Sequence, residues 1–154
     1  MSYAIYTDGA VSGNGKANAK GGWAYLILHK ETGSMIHCAS GGELNTTNQR
    51  MELMACIKAC QAAEQFDSNG KVEIYSDSAY LINCDKAFWW KAWERNGWKN
   101  AKKQPVANQD LWEQLIPFFK NERFTFIKVK GHAGNRYNEQ VDEMAVRARE
   151  TCDG

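Results

Sequence analysis

The sequence predicts a three-layer domain of the α/β or α+β class. Its first forty residues alternate short β-rich runs with turn signals, whereas the remainder alternates helical patterns with two further short strands. Strands followed by alternating helices and strands favour helices packed on the faces of one sheet. With 154 residues, the chain is long enough to bury a sizeable core as a single domain.

The first elements are strands joined by short connections. We predict strands at Tyr3–Asp8, Trp23–His29 and Met35–Ala39, separated by a loop over Ser12–Gly22 and a turn over Glu31–Gly33. These strand and turn signals together predict that the three strands form an antiparallel meander.

Helical periodicity begins near Thr47, where a Thr/Asn cap candidate precedes apolar residues at helical spacing: Leu53, Ile57, Cys60 and Ala63. This helix crosses over to the next strand, which favours parallel pairing with the first sheet segment in the right-handed sense. The remaining predictions are a strand at Val72–Tyr75, helical structure in one or two pieces over Ser78–Asn96, a helix at Asn108–Lys120, a strand at Phe124–Val129 and a helix at Asn138–Glu150.

Composition and charge narrow the functional classes. No apolar run reaches the roughly eighteen residues of a membrane span, and the start MSYAIYTDG lacks signal-peptide features, so we expect a cytoplasmic protein. Five cysteines without a CxxC pair are expected to be free thiols, with Cys56 and Cys60 in the core. The net charge is only +1, but residues 86–103 carry six Lys/Arg and one acid, so positive charge is concentrated there.

Two aspartates stand where open sheets place their functional sites. Asp8 closes the predicted strand YAIYTD, and Asp77 closes EIYSD. If these strands are neighbours, the two carboxylates face each other and share a proton unless a cation lies between them. Either aspartate alone could instead serve a turn or a helix N-cap.

Two further acids lie on predicted helices. Glu52 comes early in its helix within RMELMAC, where it either stabilises the positive helix end or points at the same strand ends. Asp142 follows the segment GHAGNRYN and by itself would be an ordinary surface acid. Oxygen ligands favour a hard cation such as Mg²⁺ or Mn²⁺. Three or four acids can hold two such ions about 4 Å apart, an arrangement that serves phosphodiester cleavage.

Four segments in this order carry a family resemblance. They are TDG at 7–9, TTNQRMEL at 46–53, SDS at 76–78 and VKGHAGNRYNEQVDEMA at 129–145. Together they resemble ribonuclease H type 1, and WERNGWKNAKKQPVANQDLW resembles the basic protrusion of its bacterial and animal members. The resemblance covers residues 3–150, nearly the whole chain.

The resemblance implies both a fold and an activity. The fold would be α/β, with a five-stranded mixed sheet flanked by helices, in one domain over residues 1–154 with a basic protrusion at about 86–107 and no separate hybrid-binding domain. The activity would be endonucleolytic hydrolysis of the RNA strand of an RNA–DNA hybrid, leaving 5′-phosphate and 3′-hydroxyl ends. The implied cofactor is Mg²⁺, two ions per active site, with Mn²⁺ as a substitute. The implied partner is the hybrid, and we expect a monomer without membrane contact.

Catalytic roles carry over by position. Asp8, Glu52, Asp77 and Asp142 would be the metal ligands, with Asp8 bridging both ions. One ion would lower the pKa of the attacking water, and the other would stabilise the leaving 3′-oxygen. His132 would shuttle a proton or help to release product, unless it is a solvated loop histidine.

Substrate contacts carry over in the same way. The minor groove of the hybrid, where the 2′-hydroxyl distinguishes RNA from DNA, would be met by the backbone near Gly9 and by Asn48, Gln49 and Glu52. Asn48 also suits a helix cap. On the DNA strand, Thr47 and Asn108 match residues that grip a phosphate, and Tyr80 and Trp93 match aromatics that touch the sugars.

The stretch FWWKAWERNGWKNAKK at 88–103 combines tryptophans with basic residues. Most of these rings are expected to pack the protrusion against the body, covered by lysine stems. Among these tryptophans, only Trp93 matches an aromatic that touches the DNA sugars. Lys99, Lys102 and Lys103 remain for phosphate contacts, which need charge and read no sequence.

Two other classes of protein explain fewer of these sequence features than the ribonuclease H resemblance does. Transposase or resolvase nucleases share the acids and metals, but they give no reason for the segments TNQRME and GHAG. A catalytically silent module that binds hybrids or double-stranded RNA would keep the basic aromatic surface, but it would be expected to lose at least one of the four acids. All four are present.

Overall fold

A five-stranded mixed sheet forms the centre of the molecule, whose computed structural model describes residues 1–14, 16–130 and 135–151. Its strands are β1 (Ser2–Ser12), β2 (Lys20–His29), β3 (Met35–Leu44), β4 (Lys71–Ser76) and β5 (Phe124–Lys128). They lie in the order β3-β2-β1-β4-β5. The antiparallel pairs β1–β2 and β2–β3 confirm the predicted meander, and the parallel pair β1–β4 confirms the predicted crossover.

Three of the five described helices begin at a side-chain cap. The helices are α1 (Asn48–Phe66), α2 (Ala79–Lys86), α3 (Trp89–Asn96), α4 (Gln109–Phe119) and α5 (Arg136–Glu150). Thr47 and Ser78 cap α1 and α2, since each side chain accepts a backbone N–H from the first turn. The helical stretch predicted over Ser78–Asn96 is therefore two helices, which Phe88 in the left-handed region separates.

Several element boundaries differ from the prediction, and β3 continues to Leu44 instead of ending at Ala39. The β1–β2 ladder extends to Ser12 opposite Lys20, so the loop predicted over Ser12–Gly22 is strand at its two ends. Gly22 belongs to β2, where a Cβ would collide with the carbonyl oxygen of Ala145 in α5. The same glycine that favours a loop in the sequence is required here by close helix–sheet packing. Likewise α5 begins before the predicted start, since Asn135 caps it.

The core occupies both faces of the sheet. Alternate residues of β2 point to opposite sides, so Ile27 joins the larger cluster under α1 and α4, whereas Leu26 packs beneath α5. Cys56 and Cys60 are buried free thiols in α1, which confirms their predicted place in the core. Among the described helices, none is both long and apolar enough to cross a membrane.

Candidate active site

Three of the four predicted acids meet where β4 ends. Asp8 lies in β1, Glu52 in α1, and Asp77 directly after β4. Each offers a carboxylate oxygen, and these three oxygens lie within 4.8 Å of one another. One cation can therefore contact all three acids.

Asp8 reaches this position from within its strand. The prediction that Asp8 closes β1 is wrong, because β1 continues along β2 to Ser12. Its parallel pairing with β4 nevertheless stops at Tyr6 opposite Tyr75. Asp8 therefore still lies beyond the carboxyl end of the parallel pair, beside Asp77.

Close packing of α1 on β1 brings Glu52 to the two aspartates. A Cβ at Gly9 would lie 2.6 Å from backbone atoms of both Met51 and Glu52, so only glycine permits this approach. The Gly9 N–H donates to Glu52 Oε1 at 3.1 Å and to Asp8 Oδ1 at 2.8 Å. One amide group thus orients two carboxylates.

Burial shifts the titration of these acids. Glu52 is 5% exposed and Asp8 is 9% exposed. Burial raises the pKa of Asp8 to about 7; the charges of Asp77 and Asp142 add to the rise, and the hydrogen bond with Glu52 opposes it. Burial, followed by the charge of Asp8, raises the pKa of Glu52 well above its usual range. Without metal, the site therefore retains protons near neutral pH, and a divalent cation would displace them.

The donor set fits a hard divalent cation. Glu52 Oε2 is buried and has no hydrogen-bond partner among the described residues, which is costly for a carboxylate oxygen that nothing else satisfies. The three acids offer oxygen ligands, the kind that Mg²⁺ and Mn²⁺ prefer. Asp8, Glu52 and Asp77 are thus the residues that would hold such an ion.

We expect Asp8→Asn to stabilise the metal-free protein at pH 8. Between the ordinary pKa of 3.8 and the folded value of about 7, only the folded state holds the proton of Asp8. The free energy of unfolding therefore falls as the pH rises from about 4 to about 7, and asparagine removes that loss. The gain over wild type should be about 2 kcal/mol at pH 8 and smaller at pH 5, measured by urea unfolding in EDTA.

The control for the sign of this effect is Asp110→Asn. Hydrogen bonds from Arg50 hold the pKa of Asp110 below its ordinary range, so removing this carboxylate should destabilise the protein at pH 8. Added Mg²⁺ should stabilise wild type more than Asp8→Asn, because only wild type retains the full ligand set. An Asp8→Asn protein that is less stable than wild type in EDTA at pH 8 would contradict the assigned protonation.

The other two predicted catalytic residues are Asp142 and His132. Asp142, in α5, is half-buried and lines the same cleft as Asp8 and Asp77, although it is not in the three-acid group. Its charge is near enough to raise the pKa of Asp8. His132 lies outside the described residues.

Predicted substrate contacts line the cleft beside the acids. Gly9, Asn48, Gln49 and Tyr80 form part of its wall. The first turn of α1 supplies the two amide side chains, and the first turn of α2 supplies the tyrosine. Thr47, rather than Asn48, caps α1, so the cap role considered for Asn48 is wrong.

A hydrogen-bonded network beside the cleft joins two predicted contacts, Asn108 and Tyr80, to three residues that the sequence patterns did not single out: Arg50, Asp110 and Trp112. The Arg50 guanidinium donates to both carboxylate oxygens of Asp110, at 3.0 and 2.9 Å, and to Asn108 Oδ1 at 3.3 Å. The amide of Asn108 in turn donates to the Tyr80 hydroxyl at 3.2 Å, and Trp112 Nε1 donates to the same oxygen at 3.1 Å. The available signal was the place of Arg50 inside the segment TTNQRMEL.

The first hairpin loop also contacts the site. Asn14 Oδ1 accepts the backbone N–H of Asn48 at 3.1 Å. This bond satisfies one of the free donors at the start of α1. No spacing or motif in the sequence singles out Asn14 for this role.

The tryptophans of residues 88–103 pack mainly inward, as predicted. Trp90 is 6% exposed, and the amino groups of Lys91 and Lys120 lie 5.5 and 5.4 Å from its ring centroid. Trp93 is half-buried, and its ring centroid lies 5.5 Å from that of Trp98 and 5.6 Å from that of Trp112. Trp93 does not line the cleft that holds the acids.

Lys99, Lys102 and Lys103 lie on an ordered loop after α3, and all three are exposed. Asn96 exchanges hydrogen bonds with the backbone of Lys99. Asn100 Oδ1 accepts the N–H of Lys102 at 2.9 Å. Local asparagine contacts therefore hold the lysine backbone in place and leave the charged groups in solvent.

Comparison with known proteins extends the similarity to the whole fold. A model of the RNase H family matches residues 1–150. A ribonuclease H from Syntrophomonas wolfei is 49% identical over 144 residues, which cover 94% of this chain and 93% of that protein. A ribonuclease H from Chlorobaculum parvum is 48% identical over 141 residues, covering 92% and 90%. Among solved structures, a type 1 RNase H with the type 2 active-site motif has a TM-score of 0.81 at 27% identity, covering 97% of this chain and 72% of that one.

Proposed function

The chain belongs to the RNase H family, and from this premise we propose that it is a metal-dependent endonuclease that hydrolyses the RNA strand of RNA–DNA hybrids. The observation that carries the proposal is the meeting of Asp8, Glu52 and Asp77, whose oxygens lie within 4.8 Å of one another. Curated relatives that share about half of the sequence are named ribonuclease H. The fold matches as well, with the five-stranded mixed sheet that the resemblance implies.

Four carboxylates and one histidine of this chain would serve the hydrolysis of a phosphodiester bond. When bound, two Mg²⁺ ions would supply an acidified water and charge stabilisation of the leaving 3′-oxygen, so that the products carry 5′-phosphate and 3′-hydroxyl ends. Asp8, Glu52 and Asp77, whose oxygens lie within 4.8 Å of one another, would hold the ions. Asp142 would add a ligand from α5. His132 would take or deliver a proton near neutral pH.

Two side-chain amides in the wall of the cleft would distinguish the RNA strand from the DNA strand. Asn48 and Gln49 present amides that can both donate to and accept from a 2′-hydroxyl, which DNA lacks. They lie in the same cleft wall as Glu52 and Gly9, and therefore beside the proposed metal site. The RNA strand would thus be read next to the position of cleavage.

The DNA strand would lie along the other side of the cleft, toward α4 and the protrusion. Thr47 and Asn108 would contact one phosphate, and Tyr80 and Trp93 would contact sugars. We propose residues 86–107 as a basic protrusion of a single domain that acts as a monomer in the cytoplasm. Its lysines Lys99, Lys102 and Lys103 would add phosphate contacts outside the cleft.

The products of a labelled hybrid test this mechanism. Purified protein with Mg²⁺ should convert the RNA strand into internal fragments whose 5′ ends a phosphatase can dephosphorylate and whose 3′ ends a poly(A) polymerase can extend. EDTA should stop the reaction, and Mn²⁺ should restore it. Fragments that end in a 2′,3′-cyclic phosphate would exclude the proposed attack by water.

We expect the triple variant of Lys99, Lys102 and Lys103 to alanine to bind the hybrid more weakly without slower chemistry. The loop contributes charge, and these lysines do not line the cleft that holds the acids. KM should therefore rise about tenfold while kcat changes less than twofold. The slope of log affinity against log salt should flatten by up to about 0.9 for each phosphate that the variant no longer neutralises.

The matched control neutralises three exposed lysines elsewhere on the surface: Lys30, Lys58 and Lys71. This second triple variant should change KM less than twofold and leave the salt slope nearly unchanged. A collapse of kcat at constant KM in the Lys99, Lys102 and Lys103 variant would show that the loop is not a simple phosphate-binding surface.

A further inference from the structure

The network around Tyr80 has only one consistent direction of hydrogen bonding. Arg50 can only donate, so the Asn108 atom that faces it must be the carbonyl oxygen Oδ1, 3.3 Å away. The Asn108 atom that faces Tyr80 is then the amide nitrogen, which donates to the hydroxyl oxygen at 3.2 Å. Trp112 Nε1, which also can only donate, occupies a second position on that oxygen at 3.1 Å.

Both acceptor positions of the Tyr80 oxygen are therefore filled. A phenolic hydroxyl has two lone pairs and one proton, so its remaining capacity is a single O–H donor. No described residue accepts this hydrogen bond, and Tyr80 is half-buried in the wall of the cleft that holds the acids. The donor-only ends of the network, Arg50 and Trp112, thus fix Tyr80 as a donor before substrate arrives.

We propose that the Tyr80 hydroxyl is a preset hydrogen-bond donor to a phosphate oxygen of the DNA strand, an assignment that rests on the proposed function. A phosphate oxygen offers only acceptor positions and carries charge, and charge-assisted hydrogen bonds of this kind are the strong ones. Asn108 adds to the preference, because its nitrogen lies 3.2 Å from the Tyr80 oxygen and retains a second hydrogen. This role goes beyond packing of the tyrosine ring against a sugar, since it requires the oxygen atom.

The role of Arg50 follows from the same geometry. Its bidentate pair with Asp110, at 3.0 and 2.9 Å, holds the guanidinium against Asn108 Oδ1. Arg50 is therefore a positioning residue, which keeps the amide of Asn108 from turning over. With the amide reversed, Tyr80 would donate to Asn108 and lose its free proton.

Tyr80→Phe tests the proposal by removing the oxygen and keeping the ring. Binding is measured by anisotropy in an Asp77→Asn background, with hybrids in which one DNA phosphate at a time is replaced by an uncharged methylphosphonate. Tyr80→Phe should weaken binding of the unmodified hybrid roughly tenfold. At one DNA position, methylphosphonate should weaken binding when Tyr80 is present and have little further effect in Tyr80→Phe.

The control is Tyr3→Phe, which deletes a hydroxyl that donates to Asp67 at 2.9 Å, at the opposite end of β1 from the acids. It should leave hybrid affinity and the whole methylphosphonate scan unchanged. A ring-fluorinated tyrosine at position 80, a stronger donor and a weaker acceptor, should tighten binding, and it replaces Tyr80→Phe if that variant does not fold.

Additive effects of Tyr80→Phe and of methylphosphonate at every DNA position would overturn the proposal. Equal or weaker binding by the fluorinated protein would also overturn it. Cleavage of unmodified hybrid by the wild-type protein is assayed separately. Loss of the coupling with cleavage intact therefore contradicts the Tyr80 assignment alone, whereas absence of cleavage contradicts the proposed function.

Discussion

Asp77→Asn is expected to abolish cleavage of an RNA–DNA hybrid while leaving hybrid binding in place. Asp77 follows β4 directly and shares a 4.8 Å cluster with Asp8 and Glu52. The amide keeps the shape of the side chain, but it removes one anionic ligand of the proposed metal site. The rate should fall at least about a thousandfold, equivalent to about 4 kcal/mol of lost transition-state stabilisation.

Cleavage is measured on a labelled hybrid with Mg²⁺, and binding by anisotropy with the same hybrid. The matched control is Glu73→Gln, the same carboxylate-to-amide change in β4 at a residue that pairs with Lys30 and accepts from Tyr75. This control should cut within a fewfold of wild type. Substantial cleavage by Asp77→Asn, or loss of binding together with cleavage, would contradict the role assigned to Asp77.

Gly9→Ala should have the second largest effect, on both stability and activity. A Cβ at this position would lie 2.6 Å from backbone atoms of Met51 and Glu52, and α1 could relieve the overlap only by moving away from β1. Such overpacking against backbone should cost at least about 3 kcal/mol. The shift would also carry Glu52 away from Asp8, so cleavage by the remaining folded protein should fall at least about tenfold.

Urea unfolding and the cleavage assay measure the two effects of Gly9→Ala. Gly33→Ala is the control for ordinary glycine replacement, because Gly33 has a φ of +74° in an exposed turn and its nearest neighbour would be the Tyr137 hydroxyl at 3.8 Å. Backbone strain at Gly33 should cost about 1 kcal/mol and leave the rate unchanged. If Gly9→Ala were as stable and as active as Gly33→Ala, the close approach of α1 to β1 would not be required.

Much of the fold could be predicted from local patterns. The helix caps at Thr47 and Ser78 and the left-handed Gly97 after α3 are short-range features, and the structure uses all three as helix ends. The meeting of Asp8 with Asp77 required only that their strands be parallel neighbours, which a helical crossover favours. Glu52 followed once α1 was placed on the same sheet.

Other features depend on contacts between distant segments, which a single sequence does not display. β1 runs past Asp8 because β2 continues to pair with it after β4 has ended. Gly22 reads as a loop residue until α5 is known to pack against it. The network from Arg50 to Tyr80 joins α1, α2 and α4 across separations of up to 60 residues, so no local pattern could reveal its direction.

The most direct test of the central claim compares three labelled substrates of one sequence under the same conditions. These are an RNA–DNA hybrid, the corresponding DNA duplex and the single-stranded RNA, each incubated with purified wild-type protein and Mg²⁺ or Mn²⁺. We predict that the RNA strand of the hybrid is cut internally while the other two substrates stay intact. A hybrid that remains intact after long incubation with either metal would contradict the claim that Asp8, Glu52 and Asp77 form the active site of a hybrid-specific nuclease.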